Sequence, residues 1–257
     1  MQHNTTYTIG FAAAVCVVCS IFVAGSAVGL KDLQIANAIL DKQKKVLVVT
    51  GLMQEGEKWP ADKITQAFET NIIPKLIDLK TGDYTDGDAK TYDQRKASKD
   101  PERSSEAPNN KAKVARVPNK ALVYQVMKNN AVDMLVLPVE GKGLWSTLYG
   151  FIALDKDANT IKGLTFYEHG ETPGLGGEVD NPKWKSLWPG RKAFDANGKP
   201  AINVIKGQAG PVAQAPHAVD GLSGATITSR GVGDLVQFWI GAHGFGPYLS
   251  KFKQRGS

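Results

Sequence analysis

The stretch Asp220-Gly221-Leu222-Ser223-Gly224-Ala225-Thr226-Ile227-Thr228-Ser229 decides how the C-terminal part of the chain is organised. Its two glycines permit tight or left-handed turns, and an amphipathic run from Val232 to Ile240 follows at helical spacing. The pattern predicts a loop that leads into a helix N-terminus, where free N–H groups and the helix dipole favour an anion. Two interpretations fit these residues: an anion site, or an ordinary helix capped by Thr228 or Ser229.

A second glycine-rich stretch is Glu168-His169-Gly170-Glu171-Thr172-Pro173-Gly174-Leu175-Gly176-Gly177. It directly follows a predicted strand and has no apolar face. It contains neither the G-K-[ST] of a P-loop nor a G-x-G-x-x-G that opens a helix, so it does not indicate a nucleotide phosphate cradle. Its composition fits a tight surface loop and a binding site alike.

Both stretches resemble motifs of the bacterial FMN-binding domain family. Asp220 to Thr226 is similar to the flavinylation motif D-x-x-[ST]-G-A-T, in which the last threonine carries FMN through a phosphodiester bond. The second stretch contains the E-T-P-G-L-G loop of that family, which lies near the flavin ring. The resemblance implies that Thr226 is the attachment site and that Asp220 helps to hold the metal during flavin transfer. A phosphodiester keeps one negative charge, which suits a helix N-terminus and the nearby Arg230.

The resemblance also implies contacts to the flavin ring. Thr172 would add a hydroxyl, Leu175 an apolar contact, and Trp145 is a candidate to pack on the ring, although an ordinary core or loop anchor fits a single Trp equally well. Lys206 is expected to face the flavin or its phosphate. The expected cofactor-binding residues are Thr226, Asp220, Leu222, Ser223, Gly224, Ala225, Thr228, Trp145, Glu171, Thr172, Gly174, Leu175, Gly176 and Lys206. We expect no catalytic acid or base and no resident metal site, because a flavin itself carries the chemistry.

Composition and charge restrict the function further. The 257 residues are 42% hydrophobic, and the formal net charge is +6. No basic stripe is interleaved with aromatic residues, so we expect no nucleic-acid partner. The two cysteines, Cys16 and Cys19, both lie in an apolar N-terminal segment, where helix packing in lipid is a better explanation than redox or metal chemistry.

The N-terminal segment from Ile9 to Leu30 contains no charged residue. At about 1.5 Å per residue it is long enough to span the roughly 30 Å hydrocarbon core of a bilayer. A cleaved signal peptide is the alternative, but no basic region precedes the segment and it is longer than a usual signal core. We therefore predict a single retained transmembrane helix.

Two signals disagree about the orientation of this helix. Lys31, Lys42, Lys44 and Lys45 follow the segment and no Lys or Arg precedes it, which would place the large domain in the cytoplasm. The family resemblance implies the opposite side, because its flavin transferase works outside the cytoplasmic membrane. We expect a single-pass protein of the bacterial inner membrane with a periplasmic domain.

The remaining pattern predicts an α+β fold with a mostly antiparallel sheet and flanking helices. Short apolar runs alternate with turn signals such as Asn129-Asn130 and Asp155 to Asn159. We divide the chain into an N-terminal tail at 1–8, a transmembrane helix at 9–30, a stalk helix and accessory region at 31–135, and an FMN-binding core at 136–257. Residues 86–118, charged and poor in apolar side chains, are predicted to form a long polar loop.

Taken over the whole chain, the resemblance is strongest to flavin-carrying subunits of the sodium-translocating NADH:quinone reductase (Nqr) complex. It implies covalently bound FMN, the other Nqr subunits as partners, and a flavin transferase during maturation. Within the same family, a flavin subunit of an Rnf-type complex, which transfers electrons between ferredoxin and NAD, is the alternative.

Two further classes stay open. A membrane-anchored binding module without a cofactor would use the two motifs only as a helix cap and a turn. A metal-dependent hydrolase would use Glu168, His169, Glu171 and His217, although the four histidines of the chain (His3, His169, His217 and His243) lack ligand spacing.

Overall fold

The computed structural model describes residues 4–255. The helices are α1 (Thr5–Gly29), α2 (Lys31–Val49), α3 (Ala61–Asn71), α4 (Gln94–Lys99), α5 (Pro182–Lys185), α6 (Thr226–Ile240) and α7 (Gly246–Arg255), with a 3-10 helix at Gly176–Asp180. The strands are β1 (Ile72–Asp78), β2 (Ser104–Glu106), β3 (Arg116–Pro118), β4 (Lys120–Lys128), β5 (Ala131–Lys142), β6 (Thr147–Asp155), β7 (Ile161–Glu168), β8 (Asn203–Val204) and β9 (Ala218–Val219). Residues up to Lys42 form one compact unit, and residues from Gln43 onward form a second.

The N-terminal unit contains the predicted transmembrane helix. Helix α1 begins at Thr5 because Asn4 caps it: the Asn4 side chain accepts a hydrogen bond from the Thr6 N–H at 3.2 Å. The predicted tail at 1–8 is therefore shorter, and its residues 1–3 lie outside the described part. Helix α1 is long and apolar enough to cross a membrane, a criterion that a signal sequence near the N-terminus also meets. The choice between anchor and signal peptide stays a prediction.

The larger unit is built on a five-stranded sheet in the order β1-β4-β5-β6-β7. Every neighbouring pair is antiparallel, which confirms the predicted fold class. Pro74 lies in β1 at the edge of the sheet, where a missing N–H removes no hydrogen bond to an inner strand. The strands β2 and β3 form a separate antiparallel pair, and β8 and β9 form a short parallel pair.

Helix α6 packs against β5 and is fixed there by apolar contacts. Alternate residues of β5, among them Leu137 and Val139, share one buried cluster with Leu235 and Trp239 of α6. The indole N–H of Trp239 donates to the Glu140 carbonyl at 2.7 Å. Because α6 is held along its length, the position of its N-terminus relative to the β5–β6 turn is also fixed.

Residues 86–118 are more ordered than the sequence predicts. They contain α4, β2 and β3 instead of one long polar loop. Arg116 donates from Nε to the Ser104 hydroxyl and from Nη2 to the Ser104 carbonyl, both at 2.8 Å. Arg95 donates twice to the Glu168 carboxylate, at 2.6 and 2.9 Å. Charged side chains here satisfy backbone and partner groups, and composition alone does not reveal such pairing.

The predicted boundary at residue 136 falls inside a structural element. Strand β5 runs from Ala131 to Lys142, and β1 and β4, which precede it in the chain, belong to the same sheet as β6 and β7. Residues 43–255 are therefore described as one unit, since strands from both sides of position 136 complete each other's hydrogen bonds.

Candidate functional site

The first motif forms the entrance to α6, as its glycines and apolar periodicity predict. Thr226 is the first residue of the helix and is exposed to solvent. The N-cap is Ala225, which has no side-chain acceptor, so the amides of the first turn remain available to an anion. Gly224 has φ of 70°, a left-handed conformation that glycine adopts without strain.

The prediction that Thr228 or Ser229 caps the helix is wrong. Both residues lie inside the first turn of α6 and are buried. The Thr228 hydroxyl donates to Glu171 Oε2 at 2.6 Å, and the Ser229 hydroxyl accepts a hydrogen bond from the Leu222 N–H at 2.8 Å. Their polar groups are used to join the helix to preceding segments of the chain.

The hydroxyls of this stretch therefore differ in accessibility. Thr228 and Ser229 are buried and hydrogen-bonded, whereas Ser223 and Thr226 are exposed. Within residues 4–255, the Thr226 hydroxyl has no hydrogen-bond partner, which leaves it free to react at the helix N-terminus.

The second motif contributes a buried carboxylate to the same place. Glu171 is only 5% exposed. Its carboxylate accepts hydrogen bonds from the N–H groups of Leu144, Trp145 and Ser146 at 3.0 to 3.1 Å, and from the hydroxyls of Ser146 and Thr228 at 3.2 and 2.6 Å. Burial by itself raises the pKa of Glu171, but these hydrogen bonds outweigh it and hold the pKa below its ordinary value.

This arrangement changes the role expected for Glu171. The sequence predicts a residue that binds the cofactor directly, but its carboxylate oxygens are already occupied by five donors from the protein. Glu171 therefore holds the β5–β6 turn and α6 together beside the exposed Thr226.

Two glycines make room for this carboxylate. A Cβ at Gly143 would lie 2.6 Å from Glu171 Oε1. A Cβ at Gly176 would lie 2.6 Å from the Thr228 hydroxyl and 2.7 Å from Glu171 Oε2. Both distances are shorter than any ordinary contact, so the close approach of these segments requires glycine at both positions.

Four large apolar side chains are exposed on the segments that Glu171 and the motifs bring together. Trp145 is 72% exposed, Ile227 56%, Leu144 48% and Leu175 46%. Leu175 reaches the α6 entrance, since its Cδ2 lies 3.0 Å from where a Cβ of Gly224 would be. Exposed apolar side chains that share one place, next to a free hydroxyl and unpaired amides, suit a ligand with a flat aromatic ring and a phosphate. These residues fit an FMN group attached at Thr226.

The remaining predicted site residues lie around this centre in different roles. The Thr172 carbonyl accepts hydrogen bonds from Leu175 and Gly177, and Gly174 has φ of 76°, so the loop is a tight turn with an exposed rim. Asp220 accepts from the Ala209 N–H at 2.8 Å, and its carbonyl accepts from the Trp184 indole at 2.8 Å.

Lys206 and Leu222 lie on different sides of the first motif. Lys206 is exposed, and its Cα lies 3.5 Å from where a Cβ of Gly221 would be, which places its backbone beside the motif. Leu222 is buried in the main apolar cluster and supports the loop from beneath. Contact between either side chain and a flavin stays a prediction.

Three residues of this site, Leu144, Ser146 and Ile227, are not among those expected from the sequence. Ser146 and Leu144 bind Glu171, and Ile227 presents its side chain to solvent beside Thr226. A signal for Ile227 was present in the sequence: an apolar residue directly between the motif hydroxyls Thr226 and Thr228, at a position that the helical pattern does not place in the core.

The residues of the hydrolase alternative are each engaged elsewhere. Glu168 pairs with Arg95, His169 Nε2 lies 3.0 Å from Asp180, and His217 Nδ1 lies 2.9 Å from the Lys192 carbonyl. Within residues 4–255 no group of three His, Cys, Asp or Glu side chains is arranged to hold a metal. His3 lies outside the described residues. The geometry gives this alternative no support.

Comparison with known proteins first gives the class of protein: the FMN-binding domain family matches residues 143–241, which include the β5–β6 turn, the second motif and the α6 entrance. The NqrC protein of Vibrio vulnificus (strain YJ016), which belongs to a Na(+)-translocating NADH-quinone reductase, is 50% identical over 97% of this chain and 96% of its own length. The corresponding protein of Pseudomonas aeruginosa is 47% identical, with 98% of each chain covered. The crystal structure of NqrC from Shewanella oneidensis matches with a TM-score of 0.74 and 37% identity, over 83% of this chain and 98% of that one. The chain belongs to the NqrC family of Na(+)-translocating NADH-quinone reductase subunits.

Proposed function

We propose that this chain is an electron-transfer subunit that carries FMN through a phosphodiester to the Thr226 hydroxyl. The observation that carries the proposal is the position of Thr226: an exposed hydroxyl without a hydrogen-bond partner in residues 4–255, on the first residue of α6, beside four exposed apolar side chains. The FMN-binding domain match over residues 143–241 supports the identity of the cofactor.

The surroundings of Thr226 are suited to the phosphate. Because Ala225 provides no side-chain cap, the first-turn amides of α6 can donate to phosphate oxygens, and the helix dipole favours the negative charge. Arg230 is exposed and four residues after Thr226, hence on the same face of the helix. Gly224 and Ala225 add little side-chain volume beside the hydroxyl, so a large group can approach it.

The surroundings are also suited to the ring. We expect the Trp145 indole and the Leu175 side chain to cover its apolar surface, and the exposed rim of the Thr172 to Gly174 turn to meet its polar edge. Bound FMN supplies one- and two-electron transfer, while these residues bind and orient it and restrict the access of water.

The family assignment supports a place in the Nqr complex, where NADH oxidation and quinone reduction are coupled to Na+ translocation. The relatives named above are Nqr subunits, so this interpretation is preferred to an Rnf-type complex. We propose that α1 anchors the chain in the bacterial inner membrane, that the domain from Gln43 onward is periplasmic, and that a flavin transferase attaches the FMN there. The other Nqr subunits are the expected redox partners.

Intact mass spectrometry of the full chain, co-expressed with a flavin transferase, tests the attachment. We expect an added mass of FMN less one water that survives acid denaturation and maps to the peptide containing Thr226. Thr226→Ala should abolish it, and Ser223→Ala, which removes the other exposed hydroxyl of the stretch, should leave it unchanged. An unmodified wild-type chain would favour the cofactor-free binding module. Loss of the flavin in Ser223→Ala, with retention in Thr226→Ala, would move the attachment site.

A further inference from the structure

The hydrogen bonds of Glu171 connect three segments that are distant in sequence. The β5–β6 turn supplies the amides of Leu144, Trp145 and Ser146, the second motif supplies Glu171 itself, and α6 supplies the Thr228 hydroxyl. Each segment carries at least one of the exposed apolar side chains beside Thr226. A single buried carboxylate therefore determines how these segments are spaced.

The hydrogen bonds reach the Trp145 backbone and leave its side chain free. The Trp145 N–H donates to Glu171 Oε1 at 3.0 Å, whereas the indole is largely exposed. Packing does not fix the position of this indole in the described chain, so its position depends mainly on the conformation of the β5–β6 turn. That turn is held by a Gly143 N–H to Ser146 carbonyl hydrogen bond of 2.9 Å and by Glu171.

The carboxylate has no capacity left for a ligand. Two oxygens that accept three amide and two hydroxyl hydrogen bonds have used their lone pairs, and the flanking Gly143 and Gly176 bring backbone to within contact distance. Replacing the charge by an amide would turn an NH2 group toward N–H donors, so several of these donors would lose their acceptor.

We propose that Glu171 is a positioning residue that fixes the Trp145 turn against the N-terminus of α6 and so sets the stacking geometry of the flavin ring. This inference rests on the proposed attachment of FMN at Thr226 and adds to it which buried group determines where the ring lies. Glu171 acts through Trp145 and Thr228 without touching the flavin.

The experiment compares Glu171→Gln with wild type, Trp145→Ala and the double variant, all as full chains co-expressed with the flavin transferase. Glu178→Gln is the matched control, because Glu178 lies in the adjacent 3-10 helix and its carboxylate accepts a hydrogen bond from the nearby Asn181 side chain. Covalent loading is measured by intact mass, and the stacking geometry by flavin fluorescence yield and visible circular dichroism. Amide hydrogen exchange of 144–146 is measured in chains made without the transferase.

We expect Glu171→Gln to load flavin at Thr226 as wild type does, with a several-fold higher flavin fluorescence that approaches the value of Trp145→Ala. The double variant should show no further increase, since both changes remove the same stacking contact. In the flavin-free chain, amide exchange at 144–146 should be about tenfold faster, as lost hydrogen bonds to a charged group imply. Glu178→Gln should match wild type in each measurement.

Other results overturn the inference separately from the proposed function. Wild-type fluorescence, dichroism and exchange in a fully loaded Glu171→Gln would show that the carboxylate does not set the ring position. Loss of loading in Glu171→Gln but not in Glu178→Gln would overturn it too, because the carboxylate would then be needed for attachment. An unloaded wild type refutes the proposed function itself, and with it the inference.

Discussion

The Thr228 hydroxyl donates a hydrogen bond of 2.6 Å to the Glu171 carboxylate, joining α6 to a loop 57 residues earlier in the chain. This contact divides the hydroxyls of the motif into two groups. Thr228, which is completely buried, holds the architecture of the site, and Thr226, two residues earlier, is left exposed. A motif rich in Ser and Thr thus presents a reactive hydroxyl at the helix start and buries its neighbours.

Thr228→Val should destabilise the fold without moving the flavin. Valine keeps the size of the side chain but leaves the buried Glu171 carboxylate without one donor, which costs about 1–3 kcal/mol in the free energy of unfolding. Urea denaturation measures this cost. Thr226→Val, at an exposed position of the same helix, is the control and should stay within about 0.5 kcal/mol of wild type. Equal stability of the two variants would contradict the structural role of Thr228.

Gly176→Ala should have a similar effect through a steric mechanism. The added Cβ would lie 2.6 Å from the Thr228 hydroxyl and push the second motif away from α6. We expect a loss of about 1–3 kcal/mol in the free energy of unfolding, the usual cost of overpacking. Gly170→Ala is the control in the same loop, because its Cβ would meet the Ser146 Cβ at 3.4 Å, an ordinary contact. Thermal unfolding of the two variants side by side distinguishes crowding from a general effect of alanine in this loop.

Trp145→Ala should change the flavin signal and leave stability almost unchanged. The indole is exposed, so its removal should cost less than about 0.5 kcal/mol. The flavin fluorescence of the loaded protein should rise, since an indole stacked on the ring quenches it. Trp239→Ala is the contrasting variant: Trp239 is fully buried and its loss should cost about 3–5 kcal/mol. A large loss of stability in Trp145→Ala would show that the indole is a core anchor.

The stabilising effect of Glu171 should depend on pH in the acid range. Its folded-state pKa lies below the ordinary value of 4.5, so its contribution to the free energy of unfolding is fully present above that value and is lost as the pH falls through the lowered pKa. The stability difference between wild type and Glu171→Gln should be constant from neutral pH to about pH 5 and shrink below it. His169, whose Nδ1 accepts from the Glu171 N–H at 3.2 Å, is present in both proteins and cancels in the comparison. A difference that grows on acidification would contradict a carboxylate that is ionised in the folded protein.

The proposed orientation can be tested with a new cysteine. The two natural cysteines both lie in α1, so Lys156→Cys places a single thiol in the domain from Gln43 onward, at an exposed turn between β6 and β7. A membrane-impermeant maleimide should label this variant in intact spheroplasts, and the wild type should remain unlabelled. Labelling that requires detergent would place the domain in the cytoplasm, as the lysines after α1 suggest.

Local patterns in the sequence predicted much of the fold because they depend on nearby residues. The alternation of apolar residues and the turn at Asp155 to Asn159 predict β6 and β7, which pair antiparallel as expected. Pro60 precedes α3, and Asn181 caps α5 directly before Pro182. The segment 86–118 was misjudged, because its order comes from ion pairs and hydrogen bonds with residues far along the chain, such as Arg95 with Glu168.

For the site, the sequence by itself determined the elements and the motif: an apolar N-terminal helix, an antiparallel sheet, a loop before α6 and a threonine in a flavinylation pattern. These features follow from spacing, turn residues and local hydrogen-bonding capacity, which act over a few residues. Only the tertiary structure decided that Glu171 is buried and spent on the Trp145 turn and Thr228, while Thr226 stays exposed. The reason is physical: whether a carboxylate or hydroxyl is free depends on which donors and acceptors the packed chain brings beside it, and here those partners lie 25 to 57 residues away.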